Sequence, residues 1–235
     1  NNGYHFQLTS CFNQLKEYPI KYLLVLGNHD TYSKLEKNQI HIHHLYKELA
    51  LQDSHYLYYD TFINGIHFYI LNSEKPSKSN AYYSKQQLSW LEHGLQKDAL
   101  DKPVFVLCHH PFLHTHPNTS NIDLTMGIQE RDIKAILKKH DHVFFFSGHV
   151  HNGIDLCNVL FEDHITFINV PAFHKVQYGI KHVGLGYQIQ IYHDFVYLRT
   201  RDYLHGDWLL ANEYVLPLHT HQILHFVSDL VLAEQ

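Results

Sequence analysis

Three stretches decide how this sequence reads: Leu23-Leu24-Val25-Leu26-Gly27-Asn28-His29-Asp30, Val104-Phe105-Val106-Leu107-Cys108-His109-His110-Pro111, and Phe144-Phe145-Phe146-Ser147-Gly148-His149-Val150-His151. Each is a short apolar run that breaks off into residues able to bind a metal ion or handle phosphate. Runs of this length and composition predict buried strands. In open α/β sheets, ligands bind outside the carboxyl ends of the strands, so three such ends are expected to meet at one crevice. Gly27 and Gly148 allow a sharp turn and close backbone approach to a ligand.

Outward from these stretches, residues 67–71, 165–170, 187–192 and 195–198 carry similar runs and predict further strands. Ser84 followed by Gln87 is a capping-box pattern, and Leu88, Leu91 and Leu95 then recur at helical spacing. Residues 131–140 place Ile133, Ile136 and Leu137 on one face and Lys138, Lys139 and His140 in the last turn, where cations suit the helix dipole. Residues 6–18 and 33–51 read as two more helices. Helix and strand alternate over the first two-thirds, and consecutive strands follow from about residue 165. The expected architecture is α/β, a layered sandwich of mixed sheets flanked by helices. No Gly, Ser or Pro linker divides the chain, which predicts one domain over 1–235, with about 165–235 forming a β-rich second sheet and a C-terminal extension.

Composition narrows the function classes. Apolar residues make up 45% of 235, and 18 Lys+Arg stand against 23 Asp+Glu, which excludes a disordered chain, a collagen and a coiled coil. The formal charge of −5 gives no support to a basic nucleic-acid surface. No apolar run approaches the roughly 20 residues that span a bilayer. Cys11, Cys108 and Cys157 are odd in number and widely spaced, so neither a disulfide framework nor a zinc knuckle is indicated. The compartment stays open, a cytoplasmic location being slightly favoured over a secreted one, and the oligomeric state is not addressed.

Histidine accounts for 24 residues, so paired histidines arise by chance, as in His41-Ile42-His43-His44, His114-Thr115-His116 and His219-Thr220-His221. What singles out Asn28, His109, His149 and His151 is their joint position at strand ends. Imidazole nitrogen and amide oxygen suit Zn, Mn, Fe and similar divalent ions. On a tight turn His149 and His151 can address two neighbouring metals, and a pair of ions about 3.5–4 Å apart would clamp the attacking and leaving oxygens of a phosphoryl centre.

The motifs Gly27-Asn28-His29-Asp30, Val106-x-x-His109 and Gly148-His149-x-His151 occur in the order of the calcineurin-like metallophosphoesterase superfamily, which the chain resembles over roughly residues 21–171. That superfamily includes purple acid phosphatases, class III cyclic-nucleotide phosphodiesterases and nucleases. Leu71-Asn72-Ser73-Glu74, the helix carrying Tyr83-Ser84-Lys85, and Asn169-Val170-Pro171 look like its bacterial members. The resemblance implies a four-layer fold and two divalent ions, Mn, Fe, Zn or similar. It implies that Asn28, His109 and His149 hold one ion and His151 the other. His29 would face the leaving group, with Asp30 orienting it. The nucleophile would be a bridging hydroxide, and the substrate a small phosphomonoester or phosphodiester rather than nucleic acid. Among further residues near the motifs, His114, Asn152 and His174 are candidates for contacting substrate.

The chain departs from the pattern upstream. The family's Asp-x-His and Gly-Asp motifs precede its Gly-Asn-His-Asp, yet residues 1–26 contain no aspartate. Asp53-Ser54-His55 and Gly206-Asp207 carry the letters in the wrong setting. The second metal site is therefore expected to be incomplete here. The start at Asn1-Asn2-Gly3 without Met favours an N-terminally truncated chain lacking a strand–helix unit over a degenerate, non-catalytic binding or scaffold protein.

Overall fold

The runs at 104–107, 143–147 and 165–169 lie side by side in a computed structural model that describes residues 5–31, 44, 46, 48, 56–75, 77, 79–154, 158–218 and 224–225. The helices are α1 (His5–Lys16), the single turn α2 (Asn28–Thr31), α3 (Lys85–Leu95) and α4 (Glu130–Leu137). The strands are β1 (Tyr59–Ile63), β2 (Ile66–Ile70), β3 (Val104–Leu107), β4 (Val143–Ser147), β5 (Val159–Glu162), β6 (Ile165–Asn169), β7 (Leu185–Ile191), β8 (Phe195–Asp202), β9 (Asp207–Trp208), β10 (Tyr214–Pro217) and β11 (Leu224–His225).

Two sheets result. The first has the order β1-β2-β3-β4-β6-β5; β2, β3, β4 and β6 run parallel and the two outer strands antiparallel. The second is antiparallel, β11-β10-β8-β7, with β9 on β8. Parallel strands covered on both faces need apolar residues at every position. In β3, Val104 and Val106 pack with Leu91, Leu95, Ile133 and Leu137 of α3 and α4, while Phe105 meets Val196, Leu198 and Tyr214 of the second sheet. In β4, Val143 and Phe145 face the helices, and Phe144 and Phe146 face the second sheet. Burying each such side chain contributes about 1.5–3 kcal/mol. β8 is sheltered on one side only, and its burial alternates with the pleat.

The described residues thus stack as helices, mixed sheet and antiparallel sheet, in keeping with an α/β sandwich of mixed sheets. A fourth layer, on the outer face of the second sheet, is not among them. The boundary near residue 165 also shifts. β6 pairs parallel with β4 inside the first sheet, because its residues Ile165, Phe167 and Ile168 are buried on both faces, and the second sheet begins at Leu185.

Two local outcomes bear on the site. Ser84 caps α3, its Oγ accepting from Gln87 N at 3.1 Å. Gln87 does not reach back to the cap, however. Its buried amide exchanges hydrogen bonds with the Asn72 backbone at 2.9 and 3.1 Å, and Glu74 takes the Ser84 N–H at 2.6 Å. The expected strand at 22–26 forms no ladder among the described residues. Side chains serve its backbone instead: Leu24 N–H donates to Tyr59 Oη at 3.0 Å, Leu24 O accepts from Tyr46 Oη at 2.7 Å, and Leu26 N–H donates to Asn72 Oδ1 at 2.7 Å. Its apolar residues pack around Ile70 and Leu57. Burial and hydrogen bonding are therefore both met without a neighbouring strand. Of the expected helix at 33–51, only residues 44, 46 and 48 are described, and they are helical. No helix among the described residues is long and apolar enough to cross a membrane.

Candidate metal centre

Because β3, β4 and β6 run parallel and in register, with Leu107 opposite Phe146 and Ser147 opposite Asn169, their carboxyl ends open onto one edge. The extended segment 22–26 delivers Gly27 to the same edge. There the Gly27 carbonyl starts α2, accepting from Asp30 N and Thr31 N, and Asp30 Oδ2 accepts from Gly27 N at 3.0 Å. A Cβ at Gly27 would lie 2.9 Å from His109 Cε1, so this position has no room for a larger residue. After β4, Gly148 N–H donates to His109 O at 3.0 Å. His149 (φ 69°) and His151 (φ 52°) then adopt left-handed backbone, which costs non-glycine residues of order 1–3 kcal/mol each. The turn buries Val150 and leaves both flanking imidazoles on the cleft.

The outcome is a cleft of about 580 Å³ lined by the Gly27–Asp30 turn, His109, the Gly148–His151 turn and residues 170–175. His109 Nε2 lies 3.0 Å from Asn28 Oδ1 and 3.1 Å from His149 Nδ1. One ring proton at most can serve both contacts. Donor atoms that share an ion at bonds of about 2.0–2.2 Å sit about 3–3.5 Å from one another, so the trio suits a cation as well as a proton. His149 Nε2 and His151 Nδ1 are buried without a hydrogen-bond partner. An orphaned buried polar atom costs about 1–3 kcal/mol, which a metal ion on His151 Nδ1 would relieve. These residues therefore fit a divalent ion.

Electrostatics agree. Burial, reinforced by His110, His149, His151 and His29, holds the His109 ring well below the ordinary histidine range. Burial and then His151 and His29 bring His149 down to about 4. His151 is lowered by burial, His29 and Lys175. At neutral pH all three are the neutral imidazoles that metal binding requires. His110, whose ring touches those of His109 and His149, is pushed down to about 3 by burial and by His149, and its Nε2 meets Ser79 O at 3.1 Å. Burial raises the Asp30 carboxyl, against the Gly27 amide that lowers it.

Of the remaining residues singled out from the sequence, His29, Asp30 and His174 line the cleft. His114 does not. It is an exposed residue at φ 61°, its N–H bound to Thr119 O. Asn152 is 1% exposed, does not line the cleft, and its amide is engaged elsewhere, with Nδ2 on His116 Nδ1 (2.6 Å) and Asn169 Oδ1 (3.1 Å) and Oδ1 on Asn118 Nδ2 (2.6 Å). Asn152 thus ties these three segments together. Among the described residues the only carboxylate lining the cleft is Asp30. Asp207 lies on β9 away from it, and Asp53 lies outside the described residues. Cys108 is no nucleophile: it is buried against Tyr83 Oη at 2.9 Å, and burial pushes its thiol up to about 11. Sequence reasoning missed Lys175, which closes the rim after Phe173-His174, and His110, whose place beside the His109 and His149 rings nothing in the pattern separates from that of an ordinary loop histidine.

Comparison with known proteins sets this geometry in context. The chain is 30% identical over 159 residues to a probable cyclic nucleotide phosphodiesterase of Moraxella catarrhalis (strain BBH18), an alignment covering 64% of this chain and 54% of that protein. The chain therefore spans about half the length of that curated relative. Among solved structures it is similar to a purple acid phosphatase from yellow lupin (Lupinus luteus) seeds, at 12% identity and a TM-score of 0.47, over 81% of this chain and 35% of the other. The family description calcineurin-like phosphoesterase matches residues 4–153, more than half of the chain, including all three histidine-bearing motifs. This protein belongs to the calcineurin-like phosphoesterase family.

Proposed function

We propose that this chain carries the histidine and amide part of a metal-dependent phosphodiesterase site for a small nucleotide-like ester. The observation that carries the reading is the meeting of Asn28 Oδ1 and His149 Nδ1 within 3.1 Å of His109 Nε2, at the edge where the parallel strands β3 and β4 end. Asn28, His109 and His149 would hold one divalent ion, and His151 would contribute to a second. When bound, such ions polarise a phosphoryl oxygen and make water nucleophilic at neutral pH.

The protein's own groups account for the rest. His29 is exposed in the cleft one residue from Asn28, positioned to donate a proton or hydrogen bond to the leaving oxygen. Asp30 ties its carboxylate to Gly27 N and so fixes the turn that carries His29. Lys175 gives the rim positive charge for a phosphoryl anion, His174 adds a ring that can hydrogen-bond to it, and the 54% exposed ring of Phe173 offers an apolar face on which a planar base can stack. The name of the Moraxella catarrhalis relative points to the same substrate class. One carboxylate in the cleft leaves two divalent charges largely unneutralised, so a second ion is expected to bind weakly.

The test is manganese binding by calorimetry together with turnover of bis-p-nitrophenyl phosphate, p-nitrophenyl phosphate and a 3′,5′-cyclic nucleotide. One tight ion per chain, lost in His109→Ala, with low turnover that favours the diester is expected. No ion bound would refute the metal reading, and robust two-ion turnover by this chain would refute the partial site.

A further inference from the structure

Away from the cleft, the turn joining β8 to β9 gathers a second set of metal-binding groups. Asp202 ends β8 with its side chain 4% exposed, and its Oδ2 lies 2.7 Å from His182 Nε2 and 2.8 Å from His205 Nδ1. The three donor atoms all fall within 4.8 Å of one another. The other carboxylate oxygen, Oδ1, accepts from Leu204 N at 2.9 Å and His205 N at 3.0 Å, which fixes the carboxylate plane and leaves Oδ2 to the two rings. The imidazoles meet edge to face, centroids 6.0 Å apart and planes at 70°. They converge on the oxygen from different sides without stacking.

The backbone is built to bring these groups together. Tyr203 N–H donates to Gly184 O at 2.9 Å, and Gly184, at φ 80°, sits where a Cβ would come within 2.3 Å of Leu204 Cγ. Only glycine lets the segment bearing His182 approach the turn bearing His205 this closely. Gly206, also at φ 80°, closes the turn with its N–H on Asp202 O.

We propose that His182, Asp202 and His205 form a separate site for a borderline divalent transition ion such as Zn²⁺. Two neutral imidazoles and one carboxylate are a donor set of the kind zinc favours, and a carboxylate held by its second oxygen is the outer-shell arrangement that orients such ligands. Spacings of 2.7 and 2.8 Å need to open by only about half an ångström to become the edges of a coordination shell. The rings supply the exposure an entering ion needs, with His182 38% and His205 65% accessible, and water completes the remaining positions. Binding releases the two ring protons that now face Oδ2, or moves them to the opposite nitrogens.

The site also ties the rim of the cleft to the second sheet. The segment from Phe173 to His182 is anchored at Phe173, whose carbonyl accepts from Gly184 N–H, in its middle, where Gln177 N–H donates to His151 O and Gly153 N–H to Tyr178 O, and at its far end by His182 on Asp202. An ion there would steady the stretch that carries His174 and Lys175.

Zinc titration of the full chain by calorimetry, with elemental analysis of the desalted protein, tests this in two backgrounds, wild type and His109→Ala. In both, adding His205→Gln should remove one zinc equivalent, with affinity at that site falling by more than the roughly 10–100-fold that loss of an outer-shell partner costs. In the His109→Ala background, cobalt substitution should give a visible absorption band that adding His205→Gln abolishes. Asp202→Asn should behave likewise, and because Asp202 also shapes the turn, the exposed His205 position carries the decision if that variant fails to fold. Unchanged stoichiometry and spectrum in His205→Gln would show that the trio is a hydrogen-bonded cluster only, and the proposal would fall whether or not the cleft binds metal.

Discussion

At the scale of single residues, Gly27 and the two left-handed histidines do most to make the cleft. The His109 ring fills the space where a Gly27 side chain would be, so Gly27→Ala must push that ring aside. Overpacking of this kind costs about 1–3 kcal/mol. The expected outcome is a manganese affinity reduced by at least about 10-fold in calorimetry, with the fold retained in circular dichroism. Unchanged affinity would mean that His109 is not a ligand. The candidate ligands could be picked out from the letters at 27–30, 106–109 and 148–151, whereas the backbone that brings them to one cleft could not. His114-Thr115-His116 and His149-Val150-His151 share one pattern. The first pair supplies an exposed ring and a buried partner of Asn152, while the second presents both rings to the cleft. His114 is left-handed as well, and it is at the second histidine that the backbones part, His116 being extended at φ −152° and His151 left-handed at φ 52°.

At the scale of elements, α3 links local code to the site. Its cap, Ser84, could be read directly, and Ser84→Ala should lower unfolding stability by about 1 kcal/mol in urea titration while leaving metal affinity unchanged. No loss of stability would mean that Glu74, which also bonds the Ser84 backbone, holds the helix start unaided. The parallel strands β3, β4 and β6 were legible because burial on both faces makes them continuously apolar. β1 was overlooked although Asn64-Gly65, with both residues at positive φ, is the turn that closes its hairpin with β2. The stretch 22–26 erred the other way. Its composition is that of a strand, but whether a segment joins a ladder depends on what lies beside it, and here tyrosine hydroxyls and an asparagine amide lie there.

At the scale of the whole molecule, the packing of histidines into one desolvated edge sets the response to pH. Burial holds His109, His110 and His149 below the unfolded value of about 6.5, His149 at about 4 and His110 at about 3. Between those values the unfolded chain binds more protons than the folded one. The stability these neutral rings permit is thus fully present above about pH 6.5 and is lost as pH falls toward 4 and then 3. The urea midpoint should therefore decline steadily from pH 7 to pH 4.5, and a flat profile would contradict the burial of these imidazoles. His67 works in the opposite sense. Burial lowers its pKa, but Asp60 and Asp98 on either side outweigh that and raise it, so its contribution is full below about 6.5 and fades as pH rises. The sequence by itself determined the family, the parallel core strands and the residues able to bind a metal, because these follow from apolar runs and from chemistry carried at their ends. Only the tertiary structure decided which of the 24 histidines meet, that Asn152 is tied to His116, Asn118 and Asn169 while Lys175 lines the rim, and that His182 and His205 meet on one oxygen of Asp202. Those contacts join residues far apart in the chain, and sheet register and burial, which no local pattern encodes, bring them within bonding distance.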